Sequence, residues 1–238
     1  MMTLTPMSRR RSLTTLAAGG LLALAPYAAL AADPSQFSKA EKLVFTDNHM
    51  ANVKAPSGLR YSFAKSGALE AGFQDEVLVE LDRSRKVQGS FLTGERKERL
   101  PDIELPEANP VILYFLEHDI REMERLTKGK SAYFRKRIRM AMVDEAQVRD
   151  TTVSLNGRTL PAQEVTLTPY QSDPARSRYE RFANKRYTFT LAKDVPGGVY
   201  QIRTVMSGAT AADPVMIDEV MTFTGTTAGA AAATTTSR

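Results

Sequence analysis

The chain has 238 residues, 32 basic against 27 acidic side chains, and a net charge of +5 at neutral pH. It holds no cysteine, no tryptophan and only two histidines, which excludes a disulfide framework, thiol chemistry and lipid attachment on an N-terminal cysteine. Three of the basic residues and no acids fall in residues 1–31, so a chain without them carries +2, too little for a nucleic-acid footprint.

The N-terminus is built like an export signal. Arg9-Arg10-Arg11 precede a stretch from Ser12 to Ala32 with no charge, rich in Leu and Ala and ending on Ala29-Leu30-Ala31. A basic region, an apolar region and a small-residue end are the parts of a signal peptide, here residues 1–31. Gly19-Gly20 and Pro26 make a lasting membrane anchor the poorer reading. Arg10-Arg11-Ser12-Leu13-Thr14 meets the twin-arginine pattern at one of its two apolar positions, so that route and the general one both stay open. We therefore expect a periplasmic protein with no membrane span in the mature chain.

Residues 32–224 form one expected domain. Asp33-Pro34 opens a helix to about residue 47. Strands follow in "LRYSFAK", "EVLVELD" and "SFLT", each alternating apolar and polar positions. The segment Gly94–Pro110 is extended and broken by prolines. Asn109-Pro110 then starts a central amphipathic helix, with Gly129 as its stop. "AYFRKRIRMAMV" reads as a strand with Tyr133, Arg135, Arg137 and Arg139 on one face, although Phe134, Ile138 and Met142 also keep helical spacing. Asn156-Gly157 marks a hairpin, and "AQEVTLTPY" is a further strand. Asp173-Pro174 opens a short helix that turns Tyr179 and Phe182 inward. "RYTFTL", "VYQIRTVM" and Val215–Phe223 complete the strands. Residues 225–238, almost uncharged and without periodicity, are an expected disordered tail.

The fold class is α+β: a curved antiparallel sheet of about eight or nine strands, packed by a central and an N-terminal helix. The central helix carries the chemistry-bearing residues. Asp119 falls inside its apolar stripe, where an ionised carboxylate needs a partner; it reads as a buried ion pair or as a pocket carboxylate. His118 and Glu122 are one turn apart and could begin a metal site, but zinc needs three or four ligands, so a solvated helix-edge pair is the simpler reading. The three arginines could grip an anionic group or form a cross-strand ladder with Glu76, Glu80 and Asp82. There is no G-x-S-x-G, no P-loop and no G-x-G-x-x-G, and no cofactor is implied.

The order of leading helix, strands, central helix and an antiparallel run closing on Gly197-Gly198 resembles the periplasmic lipoprotein-carrier fold over most of residues 34–223. That resemblance implies a half-barrel with helices on its concave side. It also implies a groove for a lipid or other hydrophobic ligand, lined by residues such as Tyr61, Phe63, Phe115, Met123 and Met140. The same side chains would fill a dry core equally well. "YTFTLAKDVPGGVYQIRTV", with Tyr200 early in its second strand, is similar to the tyrosine corner of immunoglobulin-like sandwiches, the alternative fold.

The expected function is a non-catalytic binding or carrier-like role for a hydrophobic or anionic small ligand. The candidate site comprises Tyr61, Phe63, Phe115, Asp119, Met123, Tyr133, Arg135, Arg137, Arg139 and Met140. The alternatives are an envelope interaction module with a protein partner, and a metal-dependent hydrolase around His118 and Glu122.

Overall fold

The computed structural model describes residues 37–208, 210 and 212–228, apart from the side chain of Arg99. The expected signal peptide lies outside the described residues. Ten strands form one open antiparallel sheet: β1 (Ser57–Ser66), β2 (Phe73–Leu81), β3 (Lys86–Phe91), β4 (Glu98–Arg99), β5 (Ile103–Glu104), β6 (Gln147–Leu155), β7 (Arg158–Leu167), β8 (Lys185–Leu191), β9 (Val199–Met206) and β10 (Ile217–Ala228). Their spatial order is β4-β3-β2-β1-β10-β9-β8-β7-β6, with β5 also pairing with β3. This is the expected α+β layout with a curved sheet. A single continuous sheet replaces the sandwich alternative, and Tyr200 reaches only the carbonyl of Ser154, at 3.3 Å.

Among the described residues, three helices accompany the sheet, besides short 3-10 turns. α1 is a turn at Lys39–Glu41 that widens into a π-type turn at Lys42–Thr46. α2 is Pro110–Thr127 and α3 is Ser131–Asp144. α1 is capped at Ser38, and the expected start at Asp33-Pro34 lies outside the described residues. Ser38 Oγ accepts from the Glu41 amide, and Glu41 returns a bond to the Ser38 amide, a reciprocal cap that satisfies two orphan donors. α2 begins as expected: the Asn109 side chain accepts from Val111 N at 3.1 Å, with Pro110 in the first turn. No helix among the described residues is long and apolar enough to cross a membrane.

The strand expected at residues 132–143 is the helix α3. Its buried apolar residues, Phe134, Ile138, Ala141 and Met142, recur at four-, three- and one-residue steps, which makes one helical stripe and no strand face. The alternation of arginines was accidental to the backbone. The left-handed residue ending α2 is Lys128, with φ of 57°, and Gly129 has a different reason to be glycine. A Cβ there would meet the Phe134 ring at 2.7 Å, so Gly129 lets α3 fold back against α2.

Other boundaries shift. The segment after Asp173 makes two 3-10 turns, Arg176–Arg178 and Glu180–Phe182, rather than a helix, yet Tyr179 is buried and Phe182 packs against the core. β3 continues through Gly89. The Asn156-Gly157 hairpin joins β6 to β7 with φ of 51° and 74°, the left-handed pair such a turn demands. β10 reaches Ala228, past the expected domain end at 224; the remaining tail is outside the described residues.

One face of the sheet is dry. Leu59, Tyr61 and Phe63 from β1, Val77 and Val79 from β2, and Tyr187 and Phe189 from β8 are buried, as are Val111, Phe115, Ile120 and Met123 of α2. Each such large apolar side chain contributes roughly 1.5–3 kcal/mol by leaving water. Ion pairs Arg60–Glu76, Arg149–Glu164 and Arg203–Asp218 join neighbouring strands. Exposed pairs of this kind are worth about 0–1 kcal/mol each, so the dry face holds the fold.

Candidate functional site

The polar residues of α2 divide among separate partners. Asp119 is fully buried, Lys185 at the start of β8 donates to one of its oxygens, and Tyr187 donates to the other at 2.6 Å. Tyr170 and Tyr187 share a hydroxyl contact at 3.0 Å. Burial, and then the Asp119 charge, push both phenols well above their usual range, so they stay neutral donors. The partner that a buried Asp119 requires is therefore present within the fold.

One turn further, Glu122 meets Lys65 of β1 at 3.0 Å and Arg125 at 2.8 Å. Burial would raise its carboxyl, but the bonds to Arg125 and Lys65 outweigh that and lower it to about 2. Lys65 also pairs with Glu70 at 3.0 Å and with Glu219 of β10 at 3.2 Å. Burial pulls its ammonium down, and the surrounding carboxylates, Glu219 foremost, more than reverse this and raise it. The Glu219 contact is close enough for an ion pair, yet neither carboxylate oxygen has hydrogen-bond geometry; attraction there is one of charge, not direction.

His118 turns away from Glu122. Its Nδ1 lies 2.6 Å from Glu98, and its ring is stacked 4.7 Å from Phe91 and set edge-on to Phe63. The solvated pair expected from the sequence is a buried histidine and a half-buried ion-paired glutamate. Their one-turn spacing leaves them adjacent on α2 while β1 and β4 draw them to different partners. Among the described residues no group of three or more His, Asp or Glu side chains is arranged to hold a metal.

The arginines separate for a helical reason. Arg135 and Arg139, four apart, share one side of α3, while Arg137 lies on the far side. Arg137 is buried, donates to the carbonyl of Pro169 at 3.0 and 3.1 Å, and pairs with Asp173 at 3.2 Å. Tyr133 joins the same cluster through Asp173 at 2.5 Å. Arg135 binds Glu117 through two nitrogens at 2.8 and 3.0 Å. The expected ladder to Glu76, Glu80 and Asp82 does not form; Glu76 pairs with Arg60 instead.

Two clefts accompany this arrangement. The first is a groove of about 780 Å³ between α1, α2 and α3, walled by Phe45, Leu113, Ile120, Met140 and Val143, with Arg135, Lys136 and Arg139 along α3 and the carboxylates Glu41, Glu117 and Asp144 also on its lining. Leu113, Met140 and Val143 are 49 %, 41 % and 51 % exposed. Among the described residues, Lys136 and Arg139 have no carboxylate partner. Of the sequence-derived candidates, Arg135, Arg139 and Met140 meet here. Tyr61, Phe63, Phe115 and Met123 are fully buried between sheet and α2, where Phe63 lies 5.5 Å from Phe91 and 6.4 Å from Phe115.

The second cleft, about 880 Å³, lies between the segment after α1 and strands β6 to β8. Leu43, His49 and Asn52 form one wall, Asp150, Leu191 and Lys193 the other. Sequence reasoning missed it, because its residues come from distant stretches with no shared spacing. The polar run "TDNHMAN" directly after α1 was the available signal.

No family model and no curated protein matches this chain. Among solved structures, the chain is similar to lipoprotein LppX of Mycobacterium tuberculosis, at 8 % identity and a TM-score of 0.36 over 82 % of this chain and 100 % of that one. It is similar to a chain of the Pseudomonas aeruginosa MucA/MucB complex at 15 % identity and a TM-score of 0.29, over 83 % and 59 % of the two chains. A LolA superfamily protein from Nitrosomonas europaea matches at 9 % identity and a TM-score of 0.23, over 81 % and 94 %. The likeness to the lipoprotein-carrier type is weak and one of layout, and it transfers no role.

Proposed function

We propose that this chain is an exported envelope protein, non-catalytic, that binds an anionic amphiphile in the groove between α1, α2 and α3. The ligand's apolar chain lies along Leu113, Ile120, Met140 and Val143, and its acidic head meets Lys136 and Arg139. Export is supported by the basic, uncharged and small-residue parts of residues 1–32.

The observation that carries this reading is a concentration of exposed grease beside two cations that have no carboxylate partner among the described residues. Three of the large apolar side chains most open to water gather on one groove. Two cations one turn apart on the same helix repel mildly, a cost that an anion between them removes. The groove's volume lies within the range of small-molecule sites. Covering about eight methylenes yields roughly 6 kcal/mol at ~0.8 each. That gain falls short of the ~8 kcal/mol of a micromolar complex even before the cost of association, so the charge contact at Lys136 and Arg139 has to supply the rest.

The test is displacement of a fluorescent fatty acid from purified protein. Saturable binding is expected, weakened at least about tenfold by Leu113→Glu with Met140→Glu. Both positions are exposed, so the fold should survive. Equal binding by that double variant would place the probe elsewhere and end the proposal.

A further inference from the structure

His49 occupies a junction that the groove does not use. It is 8 % exposed and lies in the 3-10 turn His49–Asn52, behind α1. Its Nε2 is 2.8 Å from the carbonyl of Leu43, and its Nδ1 is 3.2 Å from the backbone amide of Asn109. A carbonyl can only accept and a backbone N–H can only donate, so these two partners select one tautomer: neutral imidazole with its proton on Nε2. The structure has no place for a proton on Nδ1.

Asn109 is itself the head of α2. Besides capping Val111, its side-chain amide donates to Tyr61 Oη and to the carbonyl of Gly197, both at 2.8 Å. The imidazole is wedged against the β8–β9 turn, where a Cβ on Gly198 would come within 2.9 Å of His49 Cδ2. The ring cannot tilt aside without moving that turn. Three segments thus meet on one ring: the end of α1, the start of α2 and the turn at Gly197-Gly198. The same ring lines the polar cleft.

We propose that His49 is an acid-sensitive latch, whose protonation sets two donors against each other at Asn109, releases the segment Asn48–Val53 from the head of α2, and opens the polar cleft beneath it. The surroundings agree. Asp47 is the acid on its own segment, while Asp150, Lys193 and Asp194 face the cleft from β6 and the β8–β9 turn. Tyr61, behind Asn109, is held neutral by burial, and Glu107 contributes only its carbonyl, to the Met50 amide at 3.0 Å. Burial lowers the imidazole's proton affinity, and the Leu43 carbonyl and Asp47 only partly oppose it. Protons therefore bind more readily to the unlatched segment, and opening is favoured as pH falls below about 6.5. Asn52 keeps the far end of the segment tied to the carbonyls of Lys193 and Val195, and the Arg85 guanidinium of the β2–β3 turn donates to the carbonyls of Met50 and Val53, so the motion is a local hinge and not unfolding.

The experiment is amide hydrogen exchange on the full chain between about pH 7.5 and pH 5, corrected for intrinsic rates. Wild type should lose protection at Asn48–Val53 and Asn109 by about tenfold on acidification. His49→Gln, which keeps a donor near Leu43 and does not titrate, should show a flat profile there. A flat wild-type profile, or the same loss in the variant, overturns the latch. Should the variant fail to fold, nitrogen NMR of wild-type His49 decides. Joint titration of the ring and the Asn109 amide supports the latch; charging of the ring with that amide unmoved, or a ring neutral until global unfolding, refutes it.

Discussion

Replacing Lys185 by methionine removes the ammonium that faces Asp119 while keeping most of the side chain's volume. Both residues are essentially inaccessible, at 1 % and 0 % exposure, so water cannot take the lysine's place. The remaining Tyr187 hydroxyl, 2.6 Å from the carboxylate, offsets only part of the loss. A buried ion pair broken on one side typically costs about 3–5 kcal/mol. With a urea slope of about 2 kcal/mol per molar, the unfolding midpoint should fall by roughly 1.5–2.5 M. Converting both partners, Asp119→Leu with Lys185→Met, should recover part of that loss, since an apolar pair carries no buried charge, while the Tyr187 hydroxyl loses one acceptor and keeps Tyr170 as its partner. Urea unfolding followed by far-UV circular dichroism, on the two single variants and the double, closes the cycle. If Lys185→Met costs under about 1 kcal/mol, the pair is wetter than the geometry states, and the claim that it anchors α2 to β8 fails.

Asn109→Ala should cost about 2–4 kcal/mol, since it removes a helix cap and strands the Tyr61 hydroxyl and the Gly197 carbonyl; thermal unfolding measures it. Glu122 supplies a pH signature. Its folded carboxyl lies near 2 against an ordinary value of 4.5, so its contribution is complete above about 4.5 and fades as acid carries the solution towards 2. Glu122→Gln should flatten that part of the stability–pH curve, and an unchanged curve would show that Lys65 and Arg125 do not hold it.

The central helix was legible because its signals are local. Asn109-Pro110 begins it, and its apolar residues recur with one period. The Asn156-Gly157 turn was legible for the same reason. α3 was misread because Tyr133, Arg135, Arg137 and Arg139 alternate, which imitates a strand, while the stripe at Phe134, Ile138, Ala141 and Met142 carried the true period. The need for a partner at Asp119 was readable; the identity of Lys185 was not, because it opens a strand some 66 residues away, where a lysine ordinarily reaches water. The groove's Arg135, Arg139 and Met140 were named as strand residues and meet as helix residues. The His49 junction depends on residues 43, 49, 109 and 198, a meeting that only the folded topology creates.

The position of β10 has a consequence for how the protein is made. This last strand does not close an edge; it lies between β1 and β9, with Ser57 opposite Ala228. Everything earlier in the chain can assemble only as two separate ribbons, β4 to β1 on one side and β9 to β6 on the other, each with a raw inner margin. Those margins are templates for pairing with foreign strands, and closing a loop spanning nearly the whole domain is slow. A polypeptide truncated before Ile217 therefore lacks its keystone and is a substrate for aggregation or degradation. New ends cut at the Asn156-Gly157 hairpin, with a linker from beyond Ala228 back to the segment before α1, would give a permuted chain whose middle strand arrives early.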